Sequence, residues 1–135
     1  MYEGAHLVMI SPSCTGPGLS EPGYQVFNRV AIRDDQGGDE RNTQVVNTGV
    51  YQDFARRYQS RYDQSLDSTE LGFYAAYAYD ATGILIKAIG QVAVVDASGN
   101  LVIGRQALAN AVRATPGHPG VTGVISFDGK GDRLP

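Results

Sequence analysis

The sequence predicts an α/β domain in which a parallel sheet is flanked by helices. Three observations carry the prediction. Near the start, short apolar runs end in turns rich in Gly and Pro. From Tyr51 onward the apolar residues recur every three or four positions, the period of a helix. After the helices, a last apolar run from Thr122 to Phe127 leads into a Gly-rich turn. Strands followed by helices followed by a closing strand is the order of a layered α/β domain.

The elements follow in order. His6 to Ile10, "HLVMI", is apolar without alternation, the pattern of a strand buried on both faces of a parallel sheet. Pro12 ends it, because proline cannot continue a hydrogen-bonded ladder. Gln25 to Ile32, "QVFNRVAI", is a second and weaker strand candidate. The connection between them is too short for a helical crossover, which parallel pairing ordinarily needs. Arg33 to Gln44, "RDDQGGDERNTQ", is polar and punctuated by glycine, and reads as a loop, a linker or a joint.

Tyr51, Phe54, Tyr58 and Tyr62 then form the apolar face of an amphipathic helix. Asp67 with Glu70 reads as a capping-box variant that starts a longer helix. Its stripe is Leu71, Tyr74, Tyr77, Ala81, Ile84 (or Leu85) and Ala88, and Gly90 is its expected stop. Val92 to Ile103, "VAVVDASGNLVI", fits both a hairpin turning at Gly99-Asn100 and a loop between helices. Ala107, Leu108, Ala111 and Val112 give one more helix, which must stop before Pro116.

Composition narrows the function. The chain has 135 residues, the length of one domain. It is 42% hydrophobic and 19% charged, hence globular rather than disordered. A net charge of −3 with no cluster of Lys and Arg gives no nucleic-acid footprint. No apolar stretch is long enough to span a bilayer. Met1-Tyr2-Glu3 has neither the basic start nor the apolar stretch of a secretory signal, so the sequence as given reads as soluble and carries no address. One cysteine, Cys14, and two histidines, His6 and His118, make neither an internal disulfide nor a zinc-type cluster, so no metal or cofactor is expected.

The motif search points away from catalysis. A phosphatase-type loop needs an arginine six residues after its cysteine, and position 20 is Ser20. No spacing pairs Cys14 with His6 or His118 as a nucleophile and base, and no nucleotide, serine-hydrolase or zinc-protease signature is present. Asp128 to Asp132 lacks the spaced acidic ligands of a calcium loop and reads as a turn. The turn after the first strand, Ser11-Pro12-Ser13-Cys14-Thr15, has two readings. Hydroxyls and free amides at a strand's carboxyl end can hold a small zwitterion. Ser and Thr in a turn can equally satisfy their own backbone. Phe73 and Tyr74, in the first turns of their helix, are pocket candidates, although aromatics at helical spacing are more often core.

Taken together, these stretches resemble one family. "LVMISPSCTGPGLSEPGYQVFNRVAIRDDQGG" (7–38) is similar to the first lobe of a type I periplasmic binding protein, of the branched-chain amino-acid (leucine/isoleucine/valine) ABC-transporter substrate-binding type. A strand runs into an I-S-P-x-x-T turn, then L-(T/S)-x-x-G-Y, an Arg-containing strand and an acidic D-x-Q-G. "YQDFARRYQSRY", "AAYAYDATGILIKAI", "RQALANAVRAT" and "GVTGVISFDGKGDR" continue the resemblance in the family's order.

The resemblance implies part of one Rossmann-like (flavodoxin-like) lobe, with residues 1–38 as the strand and binding-turn segment. It makes 39–50 the junction where a second lobe is missing, and 51–135 the returning helices and closing strand. It also implies a non-catalytic receptor for a free amino acid, serving an ABC permease from the periplasm or from a lipid-anchored position outside the membrane. By position, the Ser13 carbonyl and the Thr15 hydroxyl and N–H hold the α-ammonium and α-carboxylate. Cys14 lies beside them, and Phe73 or Tyr74 contributes to the side-chain wall. Such receptors have two lobes, are more than twice this long and close about a hinge, so a single lobe is expected to bind weakly. Two rivals stand beside this expectation: a lobe that self-associates through an incomplete sheet without binding ligand, and a small cysteine-dependent enzyme.

Overall fold

The computed structural model describes residues 2–66 and 70–135. Asp67, the start of the expected capping box, lies outside them, as do the side chains of Glu70 and Leu71. Two strands pair in parallel, β1 (Met9–Ser11) and β2 (Phe27–Arg29), in the register Met9↔Phe27, Ile10↔Asn28 and Ser11↔Arg29. The link between them contains only one short 3-10 turn, Pro17–Leu19. The parallel pair is therefore made without a helical crossover.

Burial reverses the expected ranking of the strands. β1 is buried on one face only: Val8 and Ile10 pack on the core, while Leu7 and Met9 are exposed. The strand buried on both faces is the polar-looking one, with Val26 to Ile32 all inside. Its outer edge is covered by the closing turn, where the Arg29 amide donates to the Gly131 carbonyl at 2.9 Å. Asn28 survives burial because it is satisfied. Its Nδ2 donates to the Met9 carbonyl and its Oδ1 accepts from Arg113 Nε at 2.7 Å.

The segment 33–44, expected as a loop, a linker or a joint, is largely helical. A 3-10 turn at Asp34–Gln36 leads into α1 (Gly38–Val46). Then α2 (Gly49–Tyr62) begins at Thr48, whose side chain caps the Tyr51 amide at 3.2 Å. Tyr51 and Phe54 are buried as the spacing predicts, while Tyr62 is exposed. The long helix α3 (Glu70–Val92) buries the predicted stripe of Tyr77, Ala81, Ile84 and Ala88. It runs past Gly90, the expected stop.

Val92 to Ile103 is a hairpin, β3 (Val94–Val95) against β4 (Leu101–Val102). Asp96 decides between the two readings. Its Oδ1 accepts from the Ser98 and Asn100 amides, which folds the turn locally. The four apolar strand residues of this hairpin stay exposed.

α4 (Arg105–Arg113) packs Ala109 and Val112 inward, with Leu108 and Ala111 alongside; Ala107 is exposed. The last apolar run, Thr122 to Phe127, holds the strand β6 (Gly123–Ile125), which pairs antiparallel with β5 (His118–Gly120) before it and is followed by an isolated bridge between Phe127 and Arg133. The main core gathers α3, α4, β2 and this hairpin around Val30, Tyr77, Ile84, Val112 and Ile125. A smaller cluster of Tyr51, Phe54, Ala76 and Val121 seats α2.

Candidate functional site

The Ser/Thr turn sits at the carboxyl end of β1, as expected. Ser11 takes the ordinary structural role: its buried hydroxyl accepts from the Ser13 and Cys14 amides at 3.3 and 3.0 Å. That frees the next residues from stabilising the turn themselves. The Cys14 carbonyl accepts from Arg29 and the Thr15 carbonyl from the Asp34 amide. The Ser13 carbonyl, the Thr15 amide and the Thr15 hydroxyl have no hydrogen-bond partner among the described residues. Ser13 is exposed and Thr15 half-buried. One acceptor and two donors thus stand together at a strand end, the set a zwitterion needs.

What holds this turn is Arg29, which sequence reasoning noted only as part of a motif. Arg29 is completely buried. Its Nη1 donates to the Cys14 and Gly16 carbonyls at 2.9 and 2.8 Å, its Nη2 to Ser20 Oγ at 2.6 Å, and its Nε to Asp132 Oδ1 at 2.6 Å. Asp132 in turn accepts from Ser20 Oγ at 2.7 Å and Arg33 Nη1 at 2.8 Å. Burial pushes the Asp132 carboxyl up, but the hydrogen bonds from Arg33, Ser20 and Arg29 outweigh it and the net shift is downward. A fixed ion pair therefore braces both ends of the Cys14–Gly16 backbone. The partners lie 103 residues apart, so neither period nor local motif reveals them.

Gly131 completes the brace. A Cβ there would fall 2.0 Å from the Phe27 carbonyl oxygen, and its φ of +85° suits glycine alone.

A second buried carboxylate, Asp80 on α3, docks the closing hairpin. Its Oδ1 accepts from the Val121 amide at 2.8 Å, and its Oδ2 from the Thr122 amide and hydroxyl at 2.9 and 2.6 Å. This accounts for the Y-D-A and G-V-T-G motifs as one contact.

Phe73 and Tyr74 are half-buried and pack on the core cluster that also receives Val8 and Ile10. Phe73 stacks toward Tyr51 at 6.5 Å between centroids. Two grooves among the described residues are lined by none of Ser13, Cys14, Thr15, Phe73 and Tyr74. One groove, of about 790 Å3, runs between α2, α3 and β5 and is edged by Phe54, Tyr58, Tyr79 and His118. His118 Nδ1 is buried there without a partner among the described residues, and burial lowers its pKa against the opposing pull of Asp80. A second groove, of about 450 Å3, has Arg41, Thr48, Thr122 and Arg133 in its lining.

Cys14 is half-buried with no histidine among its hydrogen-bonding neighbours. Among the described residues no group of three or more His, Cys, Asp or Glu side chains is placed to hold a metal. No helix of the described residues is long and apolar enough to cross a membrane.

No protein-family model and no curated protein matches the sequence. Solved structures do match the fold. An ABC transporter substrate-binding protein from Desulfitobacterium hafniense, in complex with Leu, superposes with a TM-score of 0.72 over 98% of this chain and 70% of that one, at 17% identity. The chain has part of the fold of an ABC-transporter substrate-binding protein. A second structure of an ABC transporter substrate-binding protein from D. hafniense gives a TM-score of 0.70 at 17% identity, with the same coverage of both chains. A leucine binding protein from Thermotoga maritima aligns over 67% of this chain and 22% of its own, at 24% identity and a TM-score of 0.47. The lobe reading of the sequence therefore holds at the level of fold.

Proposed function

We propose that this chain is a non-catalytic, amino-acid-binding lobe of an ABC uptake receptor. The observation that carries this reading is the trio at the end of β1: the Ser13 carbonyl, the Thr15 amide and the Thr15 hydroxyl, unpaired within a turn that Arg29 holds rigid. The carbonyl receives the α-ammonium; the amide and hydroxyl donate to the α-carboxylate. Cys14 lies beside them, and Phe73 or Tyr74 contributes to the apolar wall. The Leu complex of the D. hafniense protein supports an apolar amino acid as ligand. In this reading the lobe works outside the membrane and hands its ligand to a permease.

The test is thermal unfolding with free L-amino acids at millimolar concentration. A ligand that binds only the folded chain raises the midpoint. Leucine or a close relative is expected to raise it, and Thr15→Val is expected to abolish the rise while leaving the midpoint without ligand near the parent's, since the Thr15 hydroxyl bonds no partner among the described residues. A midpoint that ignores every amino acid overturns the reading.

A second reading has its own observation. Val94, Val95, Leu101 and Val102 of the β3–β4 hairpin are 45–69% exposed, an apolar patch of a kind that marks contact surfaces. If this patch pairs two copies, light scattering of the purified chain gives a dimer mass that Val95→Lys with Leu101→Lys returns to the monomer. A monomer mass for the parent chain dismisses it.

A further inference from the structure

The turn after β1 has a polarity that its partners impose. In a trans peptide the C=O and the N–H point in opposite directions, so the partner of one group fixes the aim of the other. The peptide joining Ser13 to Cys14 donates its N–H to Ser11 Oγ at 3.0 Å, which leaves the Ser13 carbonyl facing away from Ser11. The next two peptides are reversed. The Cys14 carbonyl accepts from Arg29 Nη1 at 2.9 Å, so the Thr15 amide faces away from Arg29. The Thr15 carbonyl accepts from the Asp34 amide at 3.1 Å, so the Gly16 amide faces away from Asp34. The Gly16 carbonyl is again held by Arg29 Nη1, at 2.8 Å, and the residue that follows, Pro17, has no N–H.

One carbonyl is therefore followed by two consecutive amides. The Gly16 amide, like that of Thr15, bonds no other described residue. The peptide that carries the Thr15 amide is also polarised at its carbonyl by the buried guanidinium, which strengthens it as a donor. A carboxylate has two oxygens and about four acceptor positions, more than the Thr15 amide and hydroxyl fill.

We infer that the Gly16 amide is a second backbone donor to the ligand's α-carboxylate, and that Ser11, Arg29 and Asp34 are positioning residues that set which groups of the turn face the ligand. The inference rests on the amino-acid-binding reading above. It narrows the ligand to molecules with a free α-carboxylate.

Position 16 permits a direct test. Gly16 has φ −59° and ψ 128°, values that proline adopts, and a Cβ there would meet nothing within 4 Å. Gly16→Pro thus removes the N–H, while Gly16→Ala keeps it and controls for the added bulk. The full chain and both variants are titrated with L-leucine and with L-leucinamide, followed in the 15N–1H spectrum. Leucine is expected to move the Gly16 amide of the parent chain downfield and saturably. Gly16→Pro is expected to bind leucine about tenfold or more weakly, the scale of a hydrogen bond to a charged group, and Gly16→Ala to bind it as the parent does. Leucinamide lacks the charge, so its affinity should fall less in Gly16→Pro. Saturable leucine binding that leaves the parent's Gly16 amide unmoved overturns the inference without recourse to any variant. Equal leucine affinity in Gly16→Pro and the parent, or equal losses of leucine and leucinamide, also overturns it, and each of these results leaves the amino-acid-binding reading standing. No leucine binding by the parent chain overturns both.

Discussion

Replacing Asp132 with Ala is expected to destabilise the chain by about 3–5 kcal/mol, the cost of stranding one partner of a buried ion pair. The stranded partner is Arg29, whose side chain is 0% exposed and whose Nε and Nη2 lose Asp132 and its linked Ser20. Chemical denaturation of the purified variant measures the loss. The same pair predicts acid sensitivity. The folded Asp132 pKa lies below the ordinary value of 3.8, so its stabilisation is fully present above that pH and is lost as pH falls from there through the folded value. The parent chain should therefore lose stability steeply below about pH 4, while Asp132→Asn, already lacking the charge, shows a shallower dependence. If Asp132→Ala unfolds at the parent's denaturant midpoint, the brace does not hold the turn.

The second large effect is expected at the contact between α3 and the closing hairpin. Asp80→Ala removes the acceptor of two buried amides and one hydroxyl. Each of the three orphaned donors costs about 1–3 kcal/mol, which makes a loss on the order of 3–9 kcal/mol. Gly120→Ala attacks the same contact from the other side. Its Cβ would sit 2.5 Å from Asp80 Oδ2, and overpacking of this kind costs about 1–3 kcal/mol. Because the two variants break one contact, the double variant should lose less than the sum of the singles. Full additivity in denaturant melts contradicts the shared origin.

The periodic parts of this fold could be read in advance, and the parts fixed by distant partners could not. Tyr77, Ala81, Ile84 and Ala88 announce α3 because one buried stripe on a helix has a fixed spacing. The Ser13–Thr15 turn was placed correctly because Pro12 stops a strand wherever it falls. β2 was undervalued because Asn28 and Arg29 look like surface residues until Arg113, Asp132 and Ser20 are seen to satisfy them. The extent of α1 was missed for a local reason: Gly37 and Gly38 and the charged residues after them resemble a loop, and no apolar stripe marks the helix. The hairpin at Val92–Ile103 turns on Asp96, a short-range cue that competed evenly with the loop reading. The Y-D-A and G-V-T-G stretches were legible as strings. Their cause, the buried Asp80 carboxylate tying distant segments together, needed the structure.

The central claim is that a free amino acid docks on the turn after β1. The most direct measurement is a 15N–1H titration of the chain with L-leucine, following the amides of Ser13, Cys14, Thr15 and Gly16. The account predicts that the Thr15 amide moves downfield and saturates as it acquires the carboxylate, with Phe73 and Tyr74 shifting in step. Saturable shifts elsewhere with these amides unmoved, or no saturable shift at all, contradict it.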